Sequence, residues 1–124
     1  MKLTKILLLA FVALCLVFSF ALAADDSAAK GKAMFNDKTF AGGKKACSSC
    51  HPDGKGLEKS GAKKEWKTPV GAAKTLEEAI NLCIVNANGG KALDPKSQQM
   101  ADMVAYIKSL GAKKPEKKKP AGGY

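Results

Sequence analysis

The sequence contains no arginine, and all 21 basic residues of the 124-residue chain are lysines. Arginine carries a planar fork that binds a phosphate or carboxylate through two parallel hydrogen bonds, whereas lysine carries a mobile point charge. The formal net charge of +10 is therefore expected to steer acidic partners towards the protein rather than to specify one ligand. Together with the export signal described below, this composition predicts no binding of nucleic acid.

Cysteine and histidine are scarce, with four cysteines and one histidine in the whole chain. Cys15 lies in a leader that is expected to be removed, which leaves Cys47, Cys50 and Cys83. An odd number of cysteines in an exported protein argues against a simple disulfide framework. No alternation of apolar and polar residues typical of a β-strand runs for any length, so the sequence predicts an all-α fold.

Residues 1–23 have the features of a secretory signal peptide. Lys2 and Lys5 precede the apolar run 6–22, and Ala21 and Ala23 supply the small residues of a cleavage site. Because the run is nearly long enough to cross a bilayer, the alternative is a retained membrane anchor. We predict cleavage after Ala23 and a periplasmic location.

The remaining chain divides into a domain at 24–112 and a lysine-rich tail at 113–124. So short a domain buries a marginal core and often needs a cofactor. The tail sequence KKPEKKK carries five lysines and one glutamate. Its composition favours a disordered, solvated segment, and the alternative is a patch that makes weak contact with acidic partners or anionic lipid headgroups.

Two helices are predicted in the first part of the domain. The first covers 28–37, where small and apolar residues recur on one face. The second begins at Thr75, which is the expected N-cap, because Glu78 completes a capping box three residues later. Its apolar face includes Cys83, and the sequence NANGG predicts its end.

The third helix has the strongest signals. Asp94 is the predicted N-cap, Pro95 the first helical residue and Gly111 the end of the helix. A broad apolar face between them includes Met100 and Met103. The segment 52–71, rich in glycine, lysine and proline, is predicted to be a loop.

The sequence CSSCH at 47–51 allows three interpretations. A zinc site would need a second ligand pair, and Cys83 alone is left to contribute. A thioredoxin-like dithiol would need a βαβ setting, which is not predicted here. The C-x-x-C-H pattern is typical of covalent c-type haem attachment, with Cys47 and Cys50 as thioether donors and His51 as proximal iron ligand. Export and the need for a cofactor favour the haem.

The domain resembles the monohaem class I cytochromes c at three places: GKAMF in the first helix, CSSCH, and MVAYIKSL in the last helix. The resemblance implies three to four helices around one covalent haem c. It also implies that the first and last helices cross, with Gly31 and Phe35 meeting Tyr106. Trp66 could pack on the haem or donate its indole N–H to a propionate, and the alternative is ordinary packing in the core.

The distal iron ligand departs from the class I pattern, because the loop around Gly89 and Gly90 contains no methionine. Two candidates remain. The stretch from Leu76 to Leu110 resembles the cysteine-bearing haem domains of thiosulfate dehydrogenases and of the sulfur-oxidising cytochrome subunit, which implies Cys83 as ligand. Met100 is the other candidate. The third interpretation is an open iron or one with another ligand, for which Asn86, Asn88 and Lys91 are conceivable.

These features predict an electron carrier rather than an enzyme. The chain has one haem motif and no acid–base pair beside it. Lysines near the motif and in the tail are expected to dock redox partners that have acidic surfaces: Lys44, Lys45, Lys55, Lys63 and Lys64. The alternative is a catalytic or sensory haem subunit, with thiolate-ligated or five-coordinate iron, that oxidises sulfur compounds or binds a gas.

Overall fold

A computed structural model describes the backbone of residues 1–112 and the side chains of residues 1, 4–8 and 23–112. The predicted tail at 113–124 lies outside these residues. The elements are three α-helices, a two-stranded hairpin, four short 3₁₀ turns and one π-helical turn. Among the described side chains, no helix combines the length and the apolar character needed to cross a membrane.

The first helix, α1 (Lys2–Asn36), runs through the predicted signal segment into the predicted first helix of the domain. The alanine-rich sequence around residue 23 contains no helix breaker, so the two segments join without a kink. The predicted end at Asn36-Asp37 is confirmed, because Asp37 has an extended conformation. Its carboxylate accepts hydrogen bonds from the N–H and hydroxyl of Thr39, which turns the chain away. Cleavage after Ala23 stays a prediction.

The C-terminal half of α1 crosses the last helix, α3 (Gln98–Ala112), at a glycine. A Cβ atom at Gly31 would lie 2.0 Å from the backbone oxygen of Asp102 and 2.8 Å from Cβ of Tyr106. One turn later, the rings of Phe35 and Tyr106 meet edge to face, with centroids 5.1 Å apart and planes at 62°. The predicted contact of Gly31 and Phe35 with Tyr106 is therefore present.

A buried carboxylate also joins α1 to α3. Asp102 is 4 % exposed, and its Oδ1 accepts hydrogen bonds from the Ser27 hydroxyl and, at 2.7 Å, from the Gln98 side-chain amide. A buried charge without partners costs several kcal/mol, roughly, and hydrogen bonds offset that cost. Ser27 thus fixes the part of α1 that directly follows the predicted cleavage site.

The second helix, α2 (Leu76–Leu82), begins as predicted. The hydroxyl of Thr75 accepts a hydrogen bond from the N–H of Glu78 at 3.1 Å. The Glu78 carboxylate reaches back to the N–H of Lys74 at 2.8 Å, one residue before the cap itself. After Leu82 the helix widens into a π-helical turn (Cys83–Ala87), which ends within the predicted NANGG segment.

The predicted start of α3 is wrong by three residues. Asp94 instead caps a separate turn, in which its carboxylate accepts from the N–H of Lys96. The helix begins at Gln98, and Ser97 acts as its N-cap by accepting from the N–H of Met100 at 3.2 Å. Pro95 fits the turn as well as a first helical position, so the sequence pattern is ambiguous. Gly111 lies inside the helix rather than after it.

The all-α prediction is wrong in one detail. At the end of the predicted loop at 52–71, strand β1 (Trp66–Thr68) pairs antiparallel with β2 (Gly71–Ala73), which extends past the loop, and Trp66 lies opposite Ala73. Strands of three residues are too short to show a periodic pattern. The hairpin places the Trp66 side chain in the core, beside the second helix.

The hydrophobic core lies between α1, α2, α3 and the hairpin. Its four most deeply buried large side chains are Phe35, Ile84, Met100 and Met103. Partly buried residues complete this core, among them Cys47, Leu57 and Leu82. The cysteine motif therefore borders the core rather than lying on a detached loop.

Candidate functional site

The CSSCH motif forms a single tight turn. Residues Cys47–Ser49 are 3₁₀-helical, and the N–H of His51 donates to the carbonyl of Cys47 at 3.0 Å. This spacing places the first thiol and the imidazole on the same side of the turn. Cys50 is exposed, and all three cysteines among the described side chains are free thiols.

The imidazole of His51 is oriented by a backbone carbonyl. Its Nδ1 lies 3.1 Å from the carbonyl oxygen of Lys55, close enough for an N–H···O hydrogen bond. A proton on Nδ1 leaves the lone pair on Nε2, which is the tautomer that a metal-binding histidine needs. The loop directly after the motif thus supplies the partner that orients its histidine.

Cys47 and His51 border a cavity of about 230 Å³ whose lining is mostly apolar. The segment that directly follows the second helix contributes Cys83 to the same lining. One cavity thus brings together two thiols and an imidazole from segments about 30 residues apart. The apolar lining includes Phe35, Leu57, Trp66, Leu76, Ile80, Met103 and Ile107.

Cys83 is the first residue of the π-helical turn. Such turns are rare and are frequently found at functional sites. Burial raises the pKa of the Cys83 thiol, and the nearby Cys50 raises it further. The thiol is therefore protonated at neutral pH in the haem-free chain, and binding a metal would release that proton.

The Cys47 thiol is in contact with the segment that follows Cys83. Burial raises its pKa, and a hydrogen bond from Asn88 acts in the opposite direction. The Asn88 side-chain amide donates to the Cys47 sulfur at 3.6 Å. Sulfur is a weak acceptor both as a thiol and as a thioether, so this contact is compatible with either form.

Of the two candidate distal ligands, one borders the cavity and the other does not. Met100 has no exposed surface and lies outside the cavity lining. Met103, which the sequence predicts to be a core residue, is 1 % exposed and contributes to both the core and the lining. The position of Cys83 therefore fits iron ligation better than that of Met100.

The hairpin side of the cavity supplies polar groups that sequence reasoning missed. Lys63, Lys67 and Thr68 line the cavity beside Trp66. The indole N–H of Trp66 donates to the carbonyl of Ser60 at 3.2 Å inside the protein, so Trp66 packs against the cavity instead of donating into it. The lysine-rich sequence around Trp66 is the one signal that could have predicted this polar side.

These residues fit a c-type haem. Cys47 and Cys50 would hold it as thioethers, His51 would bind its iron through Nε2, and the apolar lining would cover the porphyrin. Lys63 and Lys67 have the charge to pair with the two propionates. The haem, when bound, supplies a one-electron couple between ferrous and ferric iron.

A family model for the cytochrome c domain of SoxA/TsdA matches residues 30–115, which is more than half of the chain. The match begins in α1, includes the CSSCH turn, Cys83 and α3, and ends three residues after the predicted domain boundary at 112. The comparisons with curated proteins and with solved structures gave no match. The chain thus belongs to the SoxA/TsdA cytochrome c domain family, and it is a c-type cytochrome domain for haem-based electron transfer.

Proposed function

We propose that this protein is an exported, periplasmic electron carrier with one covalent haem. His51 is the proximal iron ligand in this proposal, and Cys83 is the distal one. The observation that carries it is the shared cavity, which brings Cys47, His51 and Cys83 together, and the 3.1 Å contact of the His51 Nδ1 with the Lys55 carbonyl supports it. A thiolate ligand would stabilise ferric iron and place the carrier at low potential.

Partner recognition is proposed to be electrostatic. The five lysines that the sequence predicts for docking are all exposed: Lys44, Lys45, Lys55, Lys63 and Lys64. Removal of Lys2 and Lys5 with the leader lowers the formal charge from +10 to +8, so the processed protein remains strongly basic. Such a surface accelerates encounters with acidic redox proteins, and salt screens the attraction.

The test is expression of the full chain in a bacterial host that attaches c-type haem. We expect a red periplasmic protein that begins at Ala24 and whose mass exceeds that of the polypeptide by one haem. The Soret absorption should survive acid-acetone extraction. Replacement of both Cys47 and Cys50 by serine should abolish covalent attachment. A colourless product with the mass of the bare polypeptide would overturn the proposal.

A second function is favoured by one observation, the presence of Cys83 in the cavity of a SoxA/TsdA-type domain. In this alternative the protein is a catalytic or sensory haem subunit that acts on a sulfur compound or binds a gas. Stopped-flow spectroscopy separates the two functions. Reduction by thiosulfate with turnover, or tight binding of nitric oxide to the ferric protein, would support the alternative. Electron exchange with an acidic partner, slowed by salt, would support the carrier.

A further inference from the structure

Asn88 connects two cysteines that line the same cavity. Its backbone N–H donates to the carbonyl of Cys83 at 3.0 Å and closes the π-helical turn. Its side-chain amide donates to the sulfur of Cys47 at 3.6 Å. One half-buried residue therefore contacts both the proposed distal ligand and a haem-attachment residue.

Backbone hydrogen bonds strengthen the same connection. The N–H of Lys44 donates to the carbonyl of Asn88, and the N–H of Lys91 donates to the carbonyl of Ala41, each at 2.8 Å. The segments 41–47 and 88–91 are thus held together at three points. We call these three hydrogen bonds the loop bridge.

The two loops approach each other closely because a glycine permits it. A Cβ atom at Gly90 would lie 2.9 Å from the carbonyl oxygen of Ala41 and 3.3 Å from the backbone nitrogen of Gly43. Contacts under 3.0 Å with rigid backbone atoms force the chain to shift. A side chain at Gly90 would therefore push the two loops apart.

We propose that Asn88 is a positioning residue that holds Cys83 at the distal side of the iron. The inference rests on the proposed ligation by Cys83 and extends it. The attachment segment fixes the haem relative to Cys47, and the loop bridge fixes the turn that carries Cys83 relative to the same residue. The loop bridge thus limits how far the sulfur of Cys83 can move from the attachment segment.

The test measures how readily free imidazole displaces Cys83 from the ferric haem of the mature holoprotein. In Asn88→Ala, the hydrogen bond to Cys47 is lost and the covalent haem is kept. Imidazole should then bind about twofold more tightly, the factor that a hydrogen bond at the weak end of the usual range contributes to an equilibrium, because sulfur is a weak acceptor. The near-infrared magnetic circular dichroism band of the thiolate should weaken in parallel.

Two variants serve as controls. Asn86 lies in the same turn, but its side chain bonds to the carbonyl of Leu82 within the helix, so Asn86→Ala should bind imidazole like the unchanged protein. Asn88→Gln keeps an amide and should restore part of the thiolate band. Equal imidazole affinity in Asn88→Ala and the unchanged protein would overturn the inference.

A second pair of variants tests the loop bridge without changing Asn88. Lys44→Pro removes the backbone N–H that bonds to the Asn88 carbonyl, and Lys44→Gln removes the charge alone. Only Lys44→Pro should raise the affinity for imidazole. If both variants match the unchanged protein, the bridge does not position Cys83.

Failure of the ligation itself has a different signature. Cys83→Ser should bind imidazole more tightly than any of these variants, because no thiolate competes for the iron. If Cys83→Ser instead behaves like the unchanged protein, Cys83 is not a ligand. The distal ligand named in the proposed function would then be wrong, independently of the result for the Asn88 variants.

Discussion

Cys83 and Met100 illustrate how burial and position separate two sulfur side chains that the sequence leaves as competing candidates. Both lie on apolar helical faces, and either could bind iron as a soft ligand. Met100 is fully buried in the core, whereas Cys83 is half-buried and faces the cavity that His51 also borders. Substitution of Cys83 should therefore change the properties of the haem, whereas substitution of Met100 should change the stability of the fold.

The Cys83→Ser variant is expected to change the haem and leave the fold intact. A thiolate neutralises ferric charge, so its loss should raise the midpoint potential by on the order of 100 mV. The near-infrared thiolate band of the ferric protein should disappear. Potentiometric titration with magnetic circular dichroism measures both effects. An unchanged potential and spectrum would contradict thiolate ligation.

The Met100→Ala variant is expected to destabilise the fold and leave the haem unchanged. Truncation of a fully buried methionine creates a cavity and should lower the free energy of unfolding by about 2–5 kcal/mol. The ligand bands should stay as they are. Urea unfolding followed by far-ultraviolet circular dichroism measures the first effect, and the spectra of the folded protein measure the second. Loss of a thioether band in this variant would instead identify Met100 as the ligand.

At the scale of single residues, the sequence predicts which side chains carry the chemistry of the site but not how they are arranged in space. The C-x-x-C-H spacing is a local pattern, so the sequence alone indicates Cys47, Cys50 and His51. The carbonyl that orients His51 belongs to Lys55, and every residue has a carbonyl, so no sequence signal distinguishes it. The wall that Lys67 and Thr68 provide depends on a hairpin too short to predict.

At the scale of elements, the crossing of α1 and α3 depends on the absence of a side chain. In an exposed helix, replacement of glycine by alanine stabilises by roughly 1 kcal/mol. At Gly31 the added Cβ would meet the backbone of Asp102 at 2.0 Å, so the helices must separate. A loss of stability on replacing Gly31 by alanine would therefore indicate that the two helices are in contact at this residue, and a gain would indicate that they are not.

We expect Gly31→Ala to lower the free energy of unfolding by at least 1–3 kcal/mol, roughly the cost of overpacking. Urea unfolding measures it. Ala33 is exposed on the same helix, and Ala33→Gly is the matched control, with an expected loss of about 1 kcal/mol from helix propensity alone. A Gly31→Ala variant more stable than the unchanged protein would show that the helices do not meet at this residue.

Helix boundaries were predictable where one signal dominates. Thr75 is the only good cap before the second helix, and it caps it. Before α3, both Asp94 and Ser97 can cap, and the structure uses Asp94 for a turn and Ser97 for the helix. Tertiary packing decides between the two caps, because the helix must begin where Met100, Met103 and Tyr106 can reach the core.

At the scale of the whole molecule, charge is the property that the sequence specifies best. The tail at 113–124 carries a net charge of four from its lysines and single glutamate. These charges are expected to attract an acidic partner over roughly the Debye length of 8–10 Å and beyond at low salt. The tail should therefore affect the rate of encounter and leave the haem unchanged.

Deletion of residues 113–124 is expected to slow reduction by an acidic redox protein at low salt and to flatten the dependence of the rate on ionic strength. The midpoint potential should not change. Stopped-flow kinetics over a range of salt concentrations measures the slope. A tail of equal length with glutamine at every lysine should behave like the deletion, and a slope equal to that of the full chain in both variants would exclude a role in docking.

The separation of the two proposed iron ligands along the chain also bears on how the domain assembles. His51 is the immediate neighbour of the attachment cysteines and can reach the metal even in a denatured polypeptide. Cys83 lies about 30 residues further on and can join it only after loop closure, at an entropic cost that grows with the logarithm of the intervening length. The absorption spectrum of the haem would thus report the compaction of the chain, because the iron would have one protein ligand before the chain collapses and two afterwards.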